Sequence, residues 1–214
     1  MHERPSILLH AARGLALASR DFAALGVLHP GLWAWRMEEA FQATRRFESS
    51  LRSRAQGQPA AAFAQGDTPW TVLMEIAAWL HLSPKTTFVD VGAGNGLAAA
   101  VLSTVSGSRG YAVEPLGPLR RRAAAGCAAL RVPVTAVERL EEVPIAQCSA
   151  AYGAWTCVDA PARAHLLEQL RKMPVGSHLV TVTHPPEHEQ FAPVAHVTRM
   201  FPWGRSDVFV ARRA

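Results

Sequence analysis

Three glycines, Gly92, Gly94 and Gly96, alternate in the middle of the chain, directly after a β-rich apolar segment that contains Asp90. Glycine lets the backbone turn sharply and lets a ligand approach without a Cβ in the way. A following helix would supply unsatisfied N–H donors beside the loop. A strand, this loop and a helix together predict a binding site at the carboxyl end of the strand.

The spacing of the glycines separates two classes of ligand. A dinucleotide-binding loop has the pattern G-x-G-x-x-G. Here the residue after Gly96 is Leu97, so the third glycine of that pattern is missing. The alternative is a purely structural turn, but three alternating glycines would weaken a helix start without a gain in packing.

Two acidic positions follow the loop. Glu114 ends the next β-rich segment, 22 positions after Gly92. A carboxylate there can accept hydrogen bonds from both ribose hydroxyls of a nucleoside; a solvated helix cap is its alternative. Glu138 follows a third β-rich segment, but other acids stand close by in the sequence, so ordinary surface charge is its alternative.

These residues must be positioned by an alternation of strands and helices from residue 86 onward. The pattern predicts an α/β fold with a doubly wound, mostly parallel seven-stranded sheet and an antiparallel C-terminal hairpin. The predicted strands are 86–91, 110–114, 132–137, 146–152, 178–183, 194–201 and 207–212. The predicted helices between them are 97–105, 116–130 and 159–172, and 202–205 is predicted as the hairpin turn.

The N-terminal third of the chain has a helical pattern and forms a predicted helical extension. One helix is expected before a break at 29–31, and a second over about 33–54. A linker is expected over 60–65. Asp67 or Thr68 is expected to cap a further helix, with Pro69 at its first position. The domain prediction is a helical cap and linker over 1–66 and a ligand-binding domain over 67–214.

The order of an acid, an apolar residue and G-x-G-x-G in this loop resembles motif I of the class I S-adenosylmethionine-dependent methyltransferases. The resemblance covers about residues 68–213 and implies S-adenosyl-L-methionine as the cofactor. The family also has a helix before its C-terminal hairpin that is lost or reduced here, over 185–193. The cofactor contacts that the resemblance implies are Thr68, Asp90, Gly92, Ala93, Gly94, Gly96, Glu114 (ribose), Pro115 and Glu138 (adenine).

A narrower resemblance is to the seven-strand lysine methyltransferases. The segment Gln65-Gly66-Asp67-Thr68-Pro69 is similar to their entry segment, although it lacks their aromatic residue and shortens their acid. The glycine in Tyr152-Gly153-Ala154-Trp155 is similar to that of the ATP-synthase c-subunit lysine methyltransferase-like proteins.

The methyl acceptor is expected beside the carboxyl end of the fourth strand, where Tyr152, Gly153 and Trp155 are predicted to bind it. An aromatic wall could hold a cationic amine by its π face; core packing of both aromatics is the alternative. His184, near the end of the fifth strand, is predicted at the pocket rim. No catalytic residue is assigned. No metal site is expected, because the prolines between His184 and His188 prevent helical ligand geometry.

Composition narrows the classes further. The chain has 214 residues, 49% of them hydrophobic and 18% charged, which suits a folded domain. No apolar run approaches the roughly 18–20 residues that span a bilayer. Three cysteines without paired spacing suggest a reducing compartment, and the expected location is the cytoplasm. The net charge of +5 comes from scattered basic residues, so nucleic acid is not an expected partner.

The functional hypothesis is methyl transfer to a nucleophilic acceptor, first of all an amine nitrogen of a protein lysine or of a small molecule. The alternatives are a small-molecule O-methyltransferase, an NAD-dependent oxidoreductase, and a catalytically inactive cofactor-binding partner subunit. The sequence leaves the oligomeric state open.

Overall fold

The computed structural model describes residues 7–38 and 68–214. The chain begins with helix α1 (Ile7–Asp21), which continues into a π-helical turn, Phe22–Gly26. A second helix, α2, covers 30–38. The break therefore comes slightly earlier than predicted, and Pro30 opens α2 at a position where its missing N–H costs nothing. The rest of the predicted second helix, the linker and residues 65–67 lie outside the described residues.

Seven strands form one sheet in the described part of the chain, in the order β3-β2-β1-β4-β5-β7-β6. The first five are parallel and β7 runs antiparallel to both β5 and β6, as predicted. The strands are β1 (Thr87–Val91), β2 (Arg109–Val113), β3 (Val134–Val137), β4 (Ala150–Ala154), β5 (His178–Val182), β6 (Phe191–Phe201) and β7 (Gly204–Arg213). The remaining helices are α3 (Trp70–Trp79), α4 (Leu97–Ser106), α5 (Gly117–Leu130) and α6 (Ala160–Leu170).

Alternate residues of the strands pack into two hydrophobic clusters, one on each face of the sheet. One face of β1 contributes Phe88 to a cluster with α3, α4, Cys127 of α5 and the N-terminal extension. The other face contributes Val89 and Val91 to a cluster that contains Leu167 and Leu170 of α6. The sheet therefore lies between helices on both sides, which is the doubly wound arrangement that the sequence predicts.

Strand β4 differs most from its prediction. It was expected over 146–152 but runs from Ala150 to Ala154, because Pro144 leads into a 3-10 turn, Ile145–Gln147. Tyr152 consequently lies in the middle of β4, beside Asp90 of β1, and the strand ends two residues later.

The connection between β5 and β6 contains no helix over 183–190, and the departure from the family pattern is thus confirmed. Thr183 opens this connection with a φ of +79°, which is unusual for a β-branched residue. The hairpin between β6 and β7 turns at Pro202 and Trp203, as predicted.

The described part of the N-terminal extension packs into the main core. Leu25, Leu32 and Trp35 belong to the same buried cluster as α3 and α4. A Cβ on Gly126 of α5 would collide with the Trp35 indole, so this glycine lets α2 and α5 approach closely. The division of the chain at residues 66 and 67 stays a prediction, since it falls outside the described residues.

Helix α3 does not begin as predicted. Pro69 lies at its N-cap without a capping side chain, and Thr68 bonds elsewhere. Asp21, at the end of α1, takes over the capping contact, because its Oδ1 accepts from the Thr71 N–H at 3.2 Å. The N-terminal extension thereby supplies the cap that the local sequence was expected to supply.

Candidate cofactor site

The three glycines of the loop all have positive φ angles: +80° at Gly92, +58° at Gly94 and +81° at Gly96. Their surroundings differ. A Cβ added to Gly92 would meet no atom within 4 Å, whereas a Cβ on Gly96 would lie 2.5 Å from the Ala123 Cβ of α5. Gly96 is therefore needed for packing, and Gly92 leaves open space beside the loop.

The loop is fixed by hydrogen bonds to the end of β2. The N–H groups of Gly92 and Ala93 both donate to the Val113 carbonyl at 3.0 Å. Within the loop, the Gly96 N–H donates to the Ala93 carbonyl at 2.8 Å. These bonds hold the start of α4 against the carboxyl ends of β1 and β2, where this class of sheet places its ligands.

We call the meeting point of the carboxyl ends of β1 and β2 with the start of α4 the junction. The Glu114 carboxylate lies at this junction and is 6% exposed. Its Oε2 accepts from the Gly94 N–H at 2.9 Å, and its Oε1 accepts from the Leu116 N–H at 2.8 Å. The second bond reaches the N-cap residue of α5, which has no side-chain cap of its own, and the buried Glu114 is thus not a solvated helix cap. A carboxylate has about four acceptor positions, and lone pairs remain for a ligand.

Asp90 is 1% exposed, and its Oδ2 has no hydrogen-bond partner within the described structure. Burial, and after it the nearby charge of Glu114, raises the pKa of Asp90 from 3.8 to about 8. An unsatisfied buried oxygen is costly. The open side of Gly92 and two buried carboxylates thus fit a ligand that carries hydrogen-bond donors and positive charge.

The raised pKa of Asp90 makes the free energy of unfolding depend on pH, and Asp90→Asn should weaken that dependence. Because the folded-state pKa is about 8 and the usual value 3.8, protonated Asp90 favours the folded state below about pH 4. That contribution is lost as the pH rises toward 8, with a slope of at most about 1.4 kcal/mol per pH unit. We expect the free energy of unfolding to fall between pH 5 and pH 8, and to fall less in Asp90→Asn. Urea denaturation measures both slopes; equal slopes would show that Asp90 ionises normally.

Pro115 and Glu138 lie at the outer side of the same junction. Glu138 is about half exposed and pairs with Arg120 at 2.8 Å. The Arg120 guanidinium also donates to the carbonyls of Glu114 and Pro115, at 3.0 and 3.1 Å. Glu138 therefore forms a surface ion pair, as its alternative interpretation expects, and it also lies close to the end of β2, as an adenine contact would.

The residues predicted to bind the acceptor are not brought together as a wall. Tyr152 and Trp155 are both buried, but they belong to clusters on opposite faces of the sheet. The Trp155 indole packs close to the backbone of Gly153, where a Cβ would collide with it. The sequence predicts an aromatic wall because it places the end of β4 at residue 152, two residues before the observed end. In the structure Trp155 is a core residue with no exposed ring face.

Tyr152 contacts Thr68, another predicted site residue. Its hydroxyl lies 2.6 Å from the Thr68 Oγ1, and Thr68 is 5% exposed. This buried pair joins the segment before α3 to the middle of β4. Tyr152 is the register partner of Asp90 on the neighbouring strand. Its side chain is only 1% exposed, so it offers almost no surface to a ligand.

His184 lies in the connection after β5 and is partly buried. Burial, and after it the positive charge of Arg163, lowers the pKa of His184 below its usual 6.5. The imidazole is therefore neutral at neutral pH. Near it, the Thr156 and Thr183 hydroxyls, which follow β4 and β5, lie 3.0 Å apart.

Two further residues lie at the junction that the sequence analysis does not predict as site residues, Asn95 and Leu116. Asn95 is buried, and its Oδ1 accepts from the Leu97 N–H at 3.1 Å while its Nδ2 has no partner within the described structure. An Asn two residues before a helix is a recognisable signal for such a bond. Leu116 lies two residues after Glu114 and is 61% exposed, so it offers an apolar surface for a ring; the sequence carries no signal of that exposure.

The described residues contain no group of three or more histidine, cysteine or acidic side chains that could hold a metal ion. Among the same residues, no helix is long and apolar enough to cross a bilayer.

Comparison with known proteins identifies the fold. No protein-family model and no curated protein matches the sequence. Among solved structures, an RNA methyltransferase from Salinibacter ruber in complex with S-adenosyl-L-homocysteine is similar over 69% of this chain and 94% of its own, at 20% identity and a TM-score of 0.56. A geranyl diphosphate methyltransferase bound to S-adenosylmethionine is similar over 68% and 86%, at 12% identity and a TM-score of 0.57.

A third similar structure, precorrin-6y C5,15-methyltransferase from Geobacter metallireducens, has 14% identity and a TM-score of 0.55 over 71% of this chain and 92% of its own. The chain therefore has the class I S-adenosylmethionine-dependent methyltransferase fold, as its glycine motif predicts. At these identities the similarity shows the fold. It does not confirm the narrower resemblance to lysine methyltransferases.

Proposed function

We propose that this chain is an S-adenosylmethionine-dependent methyltransferase. The observation that carries the proposal is the junction of β1, β2 and α4, where the open side of Gly92 lies beside two buried carboxylates, Asp90 and Glu114. The structures that share the fold support it, since several are bound to S-adenosylmethionine or its demethylated product.

The loop argues against the NAD-dependent alternative. A dinucleotide site needs its third glycine for close packing of helix and strand around a pyrophosphate. Here that position would fall on Leu97, which is 3% exposed. In addition, the negative charges of a pyrophosphate would be repelled by the Glu114 carboxylate, and by Asp90 whenever Asp90 is ionised. The same carboxylates attract a ligand with a sulfonium and an ammonium group.

When bound, S-adenosylmethionine supplies a methyl group made electrophilic by its positive sulfur. Glu114 would accept from the ribose hydroxyls and would give up part of its bonding to the loop amides. Asp90 would face positive charge, which favours its ionised form and releases the proton that it holds at neutral pH. The acceptor would enter from the carboxyl ends of β4 and β5, where the chain must exclude water and hold a nucleophile in line with the bond that breaks.

For the acceptor, the proposal is an amine nitrogen of a small molecule or a protein lysine. An amine must be neutral to attack, and the lowered pKa of His184 keeps a neutral imidazole at that end of the sheet, which does not repel an incoming amine. RNA is the second candidate, because RNA methyltransferases are among the structures with this fold. The expectation that nucleic acid is not a partner therefore stays a prediction. An acceptor panel of amines, lysine peptides and RNA, assayed for S-adenosylhomocysteine release, distinguishes them; cofactor binding without release on any acceptor favours an inactive subunit.

Removing the Glu114 charge should weaken cofactor binding. Glu114→Gln keeps the side-chain shape but loses a charged acceptor, and we expect a loss of about 1–3 kcal/mol in affinity for S-adenosylhomocysteine. Isothermal titration calorimetry measures this. The control is Glu168→Gln, an exposed acid of α6 that the proposed cofactor site does not use, which should change the affinity far less. If both variants bind like the unmodified protein, or if NAD binds and S-adenosylhomocysteine does not, the proposed cofactor is wrong.

A further inference from the structure

A second cavity lies at the end of the sheet opposite the glycine loop. It has a volume of about 370 Å³ and is bordered by the residues that precede or begin β1, β4 and β5 and by the end of the antiparallel β7. Its polar lining consists of His81, Thr86, Ser149, Ser177, His178 and Arg212. We refer to it as the basic pocket. The proposed methyltransferase function does not use it.

Three groups that can carry positive charge converge in the basic pocket. The rings of His81 and His178 lie with their centres 4.6 Å apart and their planes inclined by 54°. Arg212 lines the same cavity, and its guanidinium lies over Gly176, where an added Cβ would be 3.3 Å from Nη2. His81 itself has a φ of +52°, a conformation that only a few per cent of such residues adopt.

Among the residues that the structure describes, no acidic side chain lines this cavity. The pKa of His178 is lowered by burial and then by the positive charges of His81 and Arg212. Every charge that acts on this imidazole therefore has the same sign. Such a cluster is unfavourable by itself, because like charges at this distance repel each other, and it becomes favourable when an anion enters.

Two imidazoles side by side could also hold a transition metal. The neighbouring guanidinium opposes that interpretation, since it repels a cation and cannot act as a ligand. The described part of the lining also supplies no third nitrogen, sulfur or carboxylate ligand, because its other polar side chains carry hydroxyls. Guanidinium and imidazolium donors with hydroxyls form instead the donor set that suits oxyanions.

We propose that the basic pocket binds a doubly charged oxyanion of the phosphate type. Arg212 supplies a forked donor, and His81 and His178 add two further donors when protonated. The cavity is larger than a single phosphate, so it has room for a phosphate group attached to a small carbon skeleton.

Inorganic phosphate is the first probe, added to the full chain while the imidazole nitrogens are observed by NMR. We expect phosphate to saturate at one site and to raise the measured pKa of His178. Arg212→Gln should weaken the affinity at least about fivefold. Arg205→Gln, an exposed arginine at the other end of the same strand, is the matched control and should leave it unchanged.

Two further ligands define the specificity. Acetate, with one charge, should bind at least about tenfold more weakly than phosphate; equal, non-saturating responses to both would mean simple charge screening and would overturn the proposal. Glycerol 3-phosphate distinguishes the source of the group: tighter binding than phosphate indicates a phosphate ester, and weaker binding indicates the free ion. Arg212→Gln and Arg205→Gln variants that bind phosphate equally would also overturn it. Because S-adenosylhomocysteine is titrated separately, failure here leaves the cofactor proposal untouched.

Discussion

Gly92→Ala should abolish most of the cofactor affinity while leaving the protein folded. The added methyl group meets no protein atom within 4 Å, so it projects into the open space beside the loop where we propose that the cofactor lies. The left-handed backbone at a φ of +80° adds a strain of about 1–2 kcal/mol. We expect the affinity for S-adenosylhomocysteine to fall by more than about tenfold, which is about 1.4 kcal/mol. Calorimetric titration gives the affinity, and thermal unfolding shows the modest loss of stability.

Gly96→Ala is the matched variant, because it makes the same chemical change at nearly the same φ, +81°. Its Cβ would lie 2.5 Å from the Ala123 Cβ and 2.9 Å from the Ala123 Cα, so α4 and α5 must move apart. Strain and overpacking together should cost about 2–4 kcal/mol of unfolding free energy. The two variants thus separate ligand space from packing space in one loop. Unchanged binding in Gly92→Ala would place the cofactor elsewhere.

The sequence predicts the strand, loop and helix around the glycines well because the relevant information is local. Gly92, Gly94 and Gly96 each adopt a positive φ, a property of the residue type itself, and β1 is mainly apolar because it is buried on both faces, with Asp90 as its buried acid. The places of Asp90 and Glu114 at or near the ends of β1 and β2 also follow from the sequence, whereas their burial is seen only in the structure. What each glycine faces could not be predicted, since Ala123 approaches Gly96 through tertiary packing.

Position within a strand was harder to predict at β4. Most residues from 146 to 154 are small and fit a strand in more than one alignment, and the short 3-10 turn before the strand has little sequence signal. A shift of two residues moved Tyr152 from the expected strand end to its interior and left Trp155 on the opposite face. The predicted acceptor site is the part that differs most from the structure, because it depends on which residues lie at the end of β4.

Asp21→Ala should cause a large loss of stability. Asp21 is 0% exposed and lies 2.9 Å from the Arg36 Nη2, and the Arg36 side chain is itself 9% exposed. The guanidinium also lies 5.4 Å from the centre of the Trp70 ring. Removing Asp21 leaves a buried cation without its counter-ion and takes the cap from α3, and a broken buried pair typically costs about 3–5 kcal/mol. Urea denaturation gives the free energy, and hydrogen exchange should show lost protection in α1.

Arg36→Met should cost less, and its effect should depend on pH. Burial already raises the pKa of Asp21 above its usual value, with Arg36 opposing that shift, so removing Arg36 raises it further. The orphaned acid can then take up a proton, which a guanidinium left alone cannot lose. A raised folded-state pKa stabilises at low pH and is lost as the pH rises, so Arg36→Met should be closer to the unmodified protein at pH 5 than at pH 8. Asp21→Ala should show no such recovery.

The exposed pair of Glu168 and Arg171 serves as the control, because both side chains are about half exposed. Glu168→Ala should leave the free energy of unfolding essentially unchanged, since water replaces the lost partner. If Asp21→Ala were equally mild, the N-terminal extension would contribute little to α3. A large loss would instead show that residues 7–38 complete the fold of the domain that holds the glycine loop, because the segment after Thr68 depends on Asp21 for its first hydrogen bond.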